Sequence, residues 1–307
     1  MPTPLNKAVD QATGVCYATG WHPSPPDMRD YTATQKDIVE ASNVLKMPAQ
    51  GAPAAALPGE VDLRAFCSTP VEDQLRLGSC TANAAVGIVE YFEKRAFGKH
   101  LDGSRLFIYK NTRNLLGWKG DTGAYLRTTM AALRLFGVPQ ETYWPYTDKA
   151  PEFDLEPPAF VYSLGSNFKA LNYFSHDPFN AKLQSDAVLL SVRTYLAAGI
   201  PSMFGFYGFD SFSYGDAPGA IPYPCSNEKA KWGHAIAAVG YNDKKTITNT
   251  LCNTKTVGAL LIRNSWGTGW GDNGYGWLPY DYVLNYLASD FWSILSLDWV
   301  NTDAFKP

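Results

Sequence analysis

The chain has 307 residues, 46% of them hydrophobic and 18% charged, with a net charge of −3. That is enough apolar material for one large core or two lobes, and it excludes a disordered or strongly basic protein. The 26 basic residues are scattered, so neither nucleic acid nor an anionic membrane surface is an expected partner, and peptides or small molecules are.

The N-terminus, "MPTPLNKAVDQATGVCYATGW", lacks a basic stretch followed by an apolar one, so no leader is read there and the compartment stays open. Nowhere do about 18 consecutive apolar residues occur, so no membrane-spanning helix is expected. Residues 19–31, "TGWHPSPPDMRDY", are too rich in proline for helix and should run extended over a surface. "MPAQGAPAAALPGE", residues 47–60, has the Ala/Pro/Gly texture of a linker. Residues 1–58 therefore divide off as a strap and linker, and 59–307 as the main domain.

After the linker, "SCTANAAVGIVEYFEKRAFG" places Ala85, Ile88, Val89, Phe92 and Ala96 on one helical face, with Gly98 set to end the helix. "TGAYLRTTMAALRLFG" and "DAVLLSVRTYLAAG" carry the same period. From Pro201 the texture turns to strands: "PSMFGFYG", "HAIAAVGYN", "GALLIRN", "YGWLP" and "FWSILSL". The fold class expected is α+β, a helical lobe over about 75–165 and a β-rich lobe over about 166–295, with a ligand cleft between them.

The five cysteines form no C-x-x-C pair, and the four histidines show no metal-ligand spacing; neither a metal nor a cofactor is expected. Cys67, Cys225 and Cys252 read as structural, Cys225 and Cys252 being a candidate pair, and Cys16 as unpaired. Cys80 differs because it opens the first long helix, where unsatisfied N–H groups favour a thiolate. That end contributes about 0.3–1 kcal/mol, ~2 at best. Lowering a thiol from about 8.5 to roughly 3–4, as at a His-paired cysteine, needs some 6–7 kcal/mol. A reactive Cys80 therefore requires an imidazolium beside it. His234, at the start of the strand "HAIAAVGY", is the candidate, since the other three histidines sit in surface-like contexts. Asn264, ending the strand in "GALLIRNSWGTGWGDNGYG", can orient its ring, and Trp266 can shield that bond from water. Taken singly, each has a bland reading: Cys80 a small buried residue, His234 a core histidine, Asn264 a turn former, Gln74 a surface amide, and Trp266 core.

Together, "QLRLGSC", "GHAIAAVGY" and "NSWGTGWGDNGYG" resemble the cysteine, histidine and asparagine boxes of papain-like cysteine peptidases, in that family's order and over roughly residues 59–295, most closely its short bacterial members. The resemblance implies a two-lobe fold, helical lobe plus β-barrel-like lobe, with Cys80 as nucleophile, His234 as acid/base, Asn264 as its orienter and Gln74 completing an oxyanion hole. It implies that Gly123 pairs with an extended substrate, that Gly233 faces the residue before the cut, and that Trp266 covers the His–Asn bond. It further implies a peptide or protein substrate with an apolar side chain two residues before the cut, in a pocket assigned to Tyr125, Trp232 and Ala235. Leu77 and Thr81 depart from the family's cysteine and tryptophan there, and "NDKKTITNTLCNTKTV" is a longer insertion expected to form an exposed hairpin. The strap is shorter than a usual pro-segment and lacks its helical motif, yet it is a zymogen-like candidate to occlude the cleft. An acyl transferase using the same residues and a degenerate peptide-binding homologue are the alternatives to an endopeptidase, and a monomer is expected.

Overall fold

The computed structural model describes residues 7–44, 57–99, 102–179 and 183–297. The N-terminal segment contributes β1 (Ala8–Val9), β2 (Cys16–Tyr17), β3 (Trp21–His22) and helix α1 (Lys36–Val44). There follow β4 (Glu60–Asp62), α2 (Cys80–Phe97), α3 (Arg105–Leu116), β5 (Ala124–Tyr125), α4 (Leu126–Phe136) and α5 (Ala159–Gly165). The remainder is β6 (Ala170–Ser175), α6 (Ser185–Ala197), β7 (Ser202–Gly208), β8 (Trp232–Asn249), β9 (Thr254–Arg263), β10 (Tyr275–Pro279), α7 (Tyr280–Leu284) and β11 (Ala288–Leu297). This is the expected α+β arrangement, a helical part followed by a β-rich part.

The core is organised around α2, whose residues from Cys80 to Glu93 are all buried. A single apolar face was expected; the helix is instead enclosed on all sides, with α3 and α4 against one flank and β7 and β8 against the other. Small residues permit the close approach. A Cβ on Gly87 would lie 2.3 Å from the Arg263 guanidinium of β9. The helix ends where Gly98 takes a left-handed φ of 69° and returns its N–H to the Lys94 carbonyl. Burying side chains such as Ile88, Val89 and Phe92 stabilises the lobe contact by about 1.5–3 kcal/mol each.

The sheet runs β10-β9-β8-β7-β11-β6, with β4 also pairing β8. β7 and β8 are antiparallel with Phe206 opposite His234 and Gly205 opposite Ala235. The foreseen hairpin extension is the far end of β8 and β9, where Thr246 faces Val257 and Asn249 faces Thr254. One reading is corrected: Glu60, the last residue of the stretch read as linker, is strand, since Glu60–Asp62 pair with Asn242–Gly240 of β8. Residues 19–31 carry β3 and no helix, and further along the strap α1 packs on β6 and β11 through the buried Ile38. The rest of that linker, residues 45–56, lies outside the described residues.

Cys225 and Cys252 are disulfide-bonded, with Cα atoms 6.0 Å apart and 27 residues of sequence separation. The bond ties the loop before β8 to the tip of the β8–β9 hairpin. Closing a loop of that length restricts the unfolded chain by about 3.5 kcal/mol. Cys252→Ser should lower the urea midpoint, with a steeper slope because the freed unfolded chain exposes more surface; an unchanged midpoint would show that the hairpin is held without it.

Candidate functional site

Cys80 is the first residue of α2 and is fully buried. Ser79 precedes it but does not cap the helix with its side chain, because its hydroxyl is engaged by Tyr146 Oη at 2.6 Å and Asn83 Nδ2 at 3.0 Å. The helix's first N–H groups are thereby left to the sulfur. Burial pushes the Cys80 thiol up to about 12, opposed by backbone hydrogen bonds from Ala235, Gly20, Thr81 and Cys80 itself. The sulfur thus meets β8 at the residue directly following His234.

Asn264 Oδ1 lies 2.7 Å from His234 Nε2. The same oxygen accepts the Ser265 backbone N–H at 2.8 Å, which fixes the orientation of the amide. An amide oxygen can only accept, so Nε2 carries the ring hydrogen and Nδ1 is the basic nitrogen. Nδ1 is buried without a hydrogen-bond partner. The ring is stacked on Trp266 at 4.4 Å and 21°, with Phe206 at its edge. Burial lowers the imidazole to about 4, with the Asn264 hydrogen bond acting in the opposite sense. Burial therefore favours the neutral form of both Cys80 and His234 in this state.

Gln74 is also buried. Its Oε1 accepts from Ser265 Oγ at 2.6 Å and its backbone N–H donates to the Ser265 carbonyl at 2.8 Å. Its Nε2 donates to the carbonyls of Leu77 at 2.8 Å and Ala18 at 3.2 Å. Ser265 therefore ties the Gln74 loop to the Asn264 strand end. Sequence reasoning missed it, although its place beside Asn264 was the available signal.

The N-terminal segment covers this constellation. Tyr17 stacks on Trp266 at 4.5 Å, and the Ala18 carbonyl that accepts from Gln74 also accepts from Trp266 Nε1 at 3.0 Å. Gly20 N–H donates to the Gly233 carbonyl at 3.1 Å, and the Gly20 carbonyl accepts from Ala124 N–H at 2.8 Å. β3 then pairs in parallel with β5, Trp21 opposite Ala124 and His22 opposite Tyr125. A Cβ on Gly123 would lie 2.2 Å from the Gly20 carbonyl oxygen. Of the residues assigned to substrate, Gly123, Tyr125, Gly233 and Trp266 all meet the strap, and Ala235 backs the sulfur. Trp232 turns its ring to Phe206, Phe212 and Trp266. Beyond Tyr17 the cleft continues into a cavity of about 610 Å³ lined by Asp10, Phe212, Ser213 and Trp270.

The expectation that the remaining histidines lie at the surface is corrected for His176. It is buried between Ser191 Oγ at 2.8 Å and Ser293 Oγ at 2.9 Å, and burial lowers it to about 3. His22 is partly buried in the strap, its Nε2 2.8 Å from the Thr122 carbonyl; His100 lies outside the described residues. Among the described residues Cys16 is an exposed free thiol and Cys67 a buried one. No group of three or more His, Cys, Asp or Glu able to hold a metal occurs among them.

Residues 57–285 match the family described as papain family cysteine protease. The chain is 35% identical over 285 residues to an uncharacterised peptidase C1-like protein of Acanthamoeba polyphaga mimivirus, covering 90% of this chain and 86% of that one. It is 30% identical to cathepsin K of Gallus gallus over 67% of this chain and 54% of the relative. Among solved structures, xylellain, a cysteine protease from Xylella fastidiosa, superposes with a TM-score of 0.70 at 31% identity, covering 95% of this chain and 98% of that chain.

The tightest point of strap contact is Gly20, where an added Cβ would stand 2.0 Å from the Gly78 carbonyl oxygen. Backbone meets backbone there, so neither side can yield by a rotamer change. Gly20→Leu should expel residues 17–22 from the cleft while leaving the lobes folded. Limited proteolysis should then cut the strap first, with the melting transition of the remainder kept; unchanged strap protection would refute the tight fit.

Proposed function

Because this chain belongs to the papain family of cysteine proteases, we propose that it is an endopeptidase whose Cys80 and His234 form the reacting pair and whose residues 1–58 hold it latent. Residues 59–307 constitute the catalytic domain in this reading. The observation that carries it is the Asn264–His234 hydrogen bond. It leaves Nδ1 as a buried base without a partner, on the strand whose next residue hydrogen-bonds the Cys80 sulfur.

In the open enzyme the Cys80 proton passes to His234 Nδ1, giving a thiolate and an imidazolium held by Asn264. The thiolate adds to a peptide carbonyl carbon, and the oxyanion is taken by Gln74 Nε2 and the Cys80 backbone N–H. The C–N bond breaks as His234 returns its proton to the leaving amine. Water, deprotonated by His234, then cleaves the thioester and restores the thiol. Gly233 and Gly123 offer backbone groups to an extended peptide.

Latency follows from desolvation. The strap places the Ala18 carbonyl on Gln74, the Gly20 N–H on the Gly233 carbonyl and the Tyr17 ring on Trp266. Water is excluded, and the ion pair that chemistry requires gives way to two neutral groups.

The test compares the intact chain, Gly20→Leu, Cys80→Ala/Gly20→Leu and Gln74→Ala/Gly20→Leu with fluorogenic peptides and an epoxysuccinyl label. Gly20→Leu should label and turn over far faster than the intact chain. Removing Gln74 should lower kcat by about 10²–10³, and removing Cys80 should abolish labelling. Equal labelling of the intact and Gly20→Leu chains would reject occlusion, and a folded but inert Gly20→Leu chain would reject the peptidase reading.

The pH dependence has a definite sign. The closed pair, a thiol pushed up to about 12 and an imidazole lowered to about 4, carries one proton, and so does the open thiolate–imidazolium pair, so opening exchanges no net proton between about pH 4 and the imidazolium's own titration above 6.5. The strap-protected fraction measured by proteolysis should therefore stay level over that interval and decrease at higher pH, where the open pair alone loses its proton; a fraction that rises with pH would contradict the assignment.

A further inference from the structure

The strap also places a side chain in a built pocket beside the reacting pair. Trp21 is 2% exposed. A Cβ on Gly205 of β7 would lie 1.9 Å from its ring, and one on Gly233 of β8 would lie 2.5 Å from its carbonyl oxygen and 2.9 Å from the ring. The two strands are thus bare where the flat indole lies, and Tyr207 closes one side with ring centroids 5.3 Å apart. At the far end Trp21 Nε1 donates to Asp290 Oδ2 at 3.1 Å.

Asp290 is held in an unusual way. Its φ is 66°, a left-handed conformation that a non-glycine residue keeps only where its surroundings impose it. The pairing of β7 with β11 breaks register between Ser289 and Trp292 at this point. Oδ1 accepts from Trp292 Nε1 at 2.7 Å. Oδ2 accepts from Trp21 Nε1, from Ser24 N–H at 3.3 Å and from Ser24 Oγ at 2.8 Å. All three donors to Oδ2 belong to the strap. Behind it, Asp177 accepts the backbone N–H groups of Asp290 at 2.7 Å and Phe291 at 2.8 Å, a second carboxylate. The neighbouring cation, Arg127, is turned to Asp30, with Nε 2.6 Å from Oδ1.

When the strap withdraws, Oδ2 is left at the floor of a narrow slot with its donors gone, a costly state for a recessed carboxylate. A peptide side chain that is flat, long enough to reach the floor and tipped with several N–H groups repairs it. Arginine has that shape, its planar fork suiting both the slot and a carboxylate. We propose that Asp290 determines specificity: the slot vacated by Trp21 selects an arginine side chain of the substrate rather than the apolar one that the family resemblance implied. This rests on the peptidase reading of the cleft given above.

The experiment measures kcat/KM of the full-length Gly20→Leu protein, with and without Asp290→Asn, on peptides that differ only in carrying Arg, Lys, Gln, Leu or Phe at the slot position. Arg should exceed Leu by roughly 10–100-fold. Asp290→Asn should bring the two near parity, chiefly by raising KM for the Arg peptide, with the Leu peptide little changed. Asp290→Glu, which retains the charge, should keep a basic preference and supports the inference even if Asp290→Asn folds poorly. A preference for Leu or Phe, or an Arg preference that survives Asp290→Asn, overturns it; the former outcome would fit Arg127 turning to Asp290 once Asp30 has left. Absence of cleavage of every peptide by the folded Gly20→Leu protein would instead remove the peptidase reading beneath it.

Discussion

One hydrogen bond sets the chemical character of the cleft: Asn264 Oδ1 holds the Nε2–H of His234. It selects the tautomer, and the tautomer decides that the basic nitrogen faces away from the asparagine. The geometry is secured from outside. Asn264 donates its backbone N–H to the Gly274 carbonyl at 3.0 Å, while Ser265 binds the Asn264 side chain with its N–H and Gln74 with its hydroxyl. Two side-chain amides, that of Asn264 on the imidazole and that of Gln74, are thereby positioned by one serine. Trp266 stacks on the ring and so keeps water from competing for the bond.

The second organising fact is that burial acts on Cys80 and His234 in the same sense, favouring the neutral form of each. A thiol pushed up to about 12 and an imidazole pulled down to about 4 share one cause, removal from solvent. The strap achieves this with main-chain hydrogen bonds at Ala18 and Gly20 and with two aromatic anchors, Tyr17 on Trp266 and Trp21 in the slot ending at Asp290.

The sequence was most readable where local period and chemistry coincide. β7 through β11 were legible because apolar runs of strand length are bounded by Gly, Asn and Pro, and α2 because its small and apolar residues are followed by a glycine stop. α3 was passed over because "RLFIYKNTRNLL" looks amphiphilic without a clear face. Its polar residues are nevertheless buried through partners distant in sequence: Arg113 on Asp154 at 2.7 Å and Arg105 on Glu141 at 3.0 Å. The two-residue strands β1, β2, β3 and β5 exist only through pairing, so no window of sequence announces them. Three ordered motifs pointed to Cys80, His234, Asn264 and Gln74. Asp290 escaped notice, because nothing local to "LASDFW" reveals that a tryptophan some 270 residues earlier reaches it.

Since the strap and the cleft belong to one polypeptide, their encounter is unimolecular. Diluting the protein cannot separate them, and a free peptide must compete with a local concentration that short tethers place in the millimolar range. Substrates present at micromolar levels would scarcely register until an event acts on the tethered segment itself. Under the latency proposed above, activity responds to what happens to residues 17–24 rather than to how much substrate arrives.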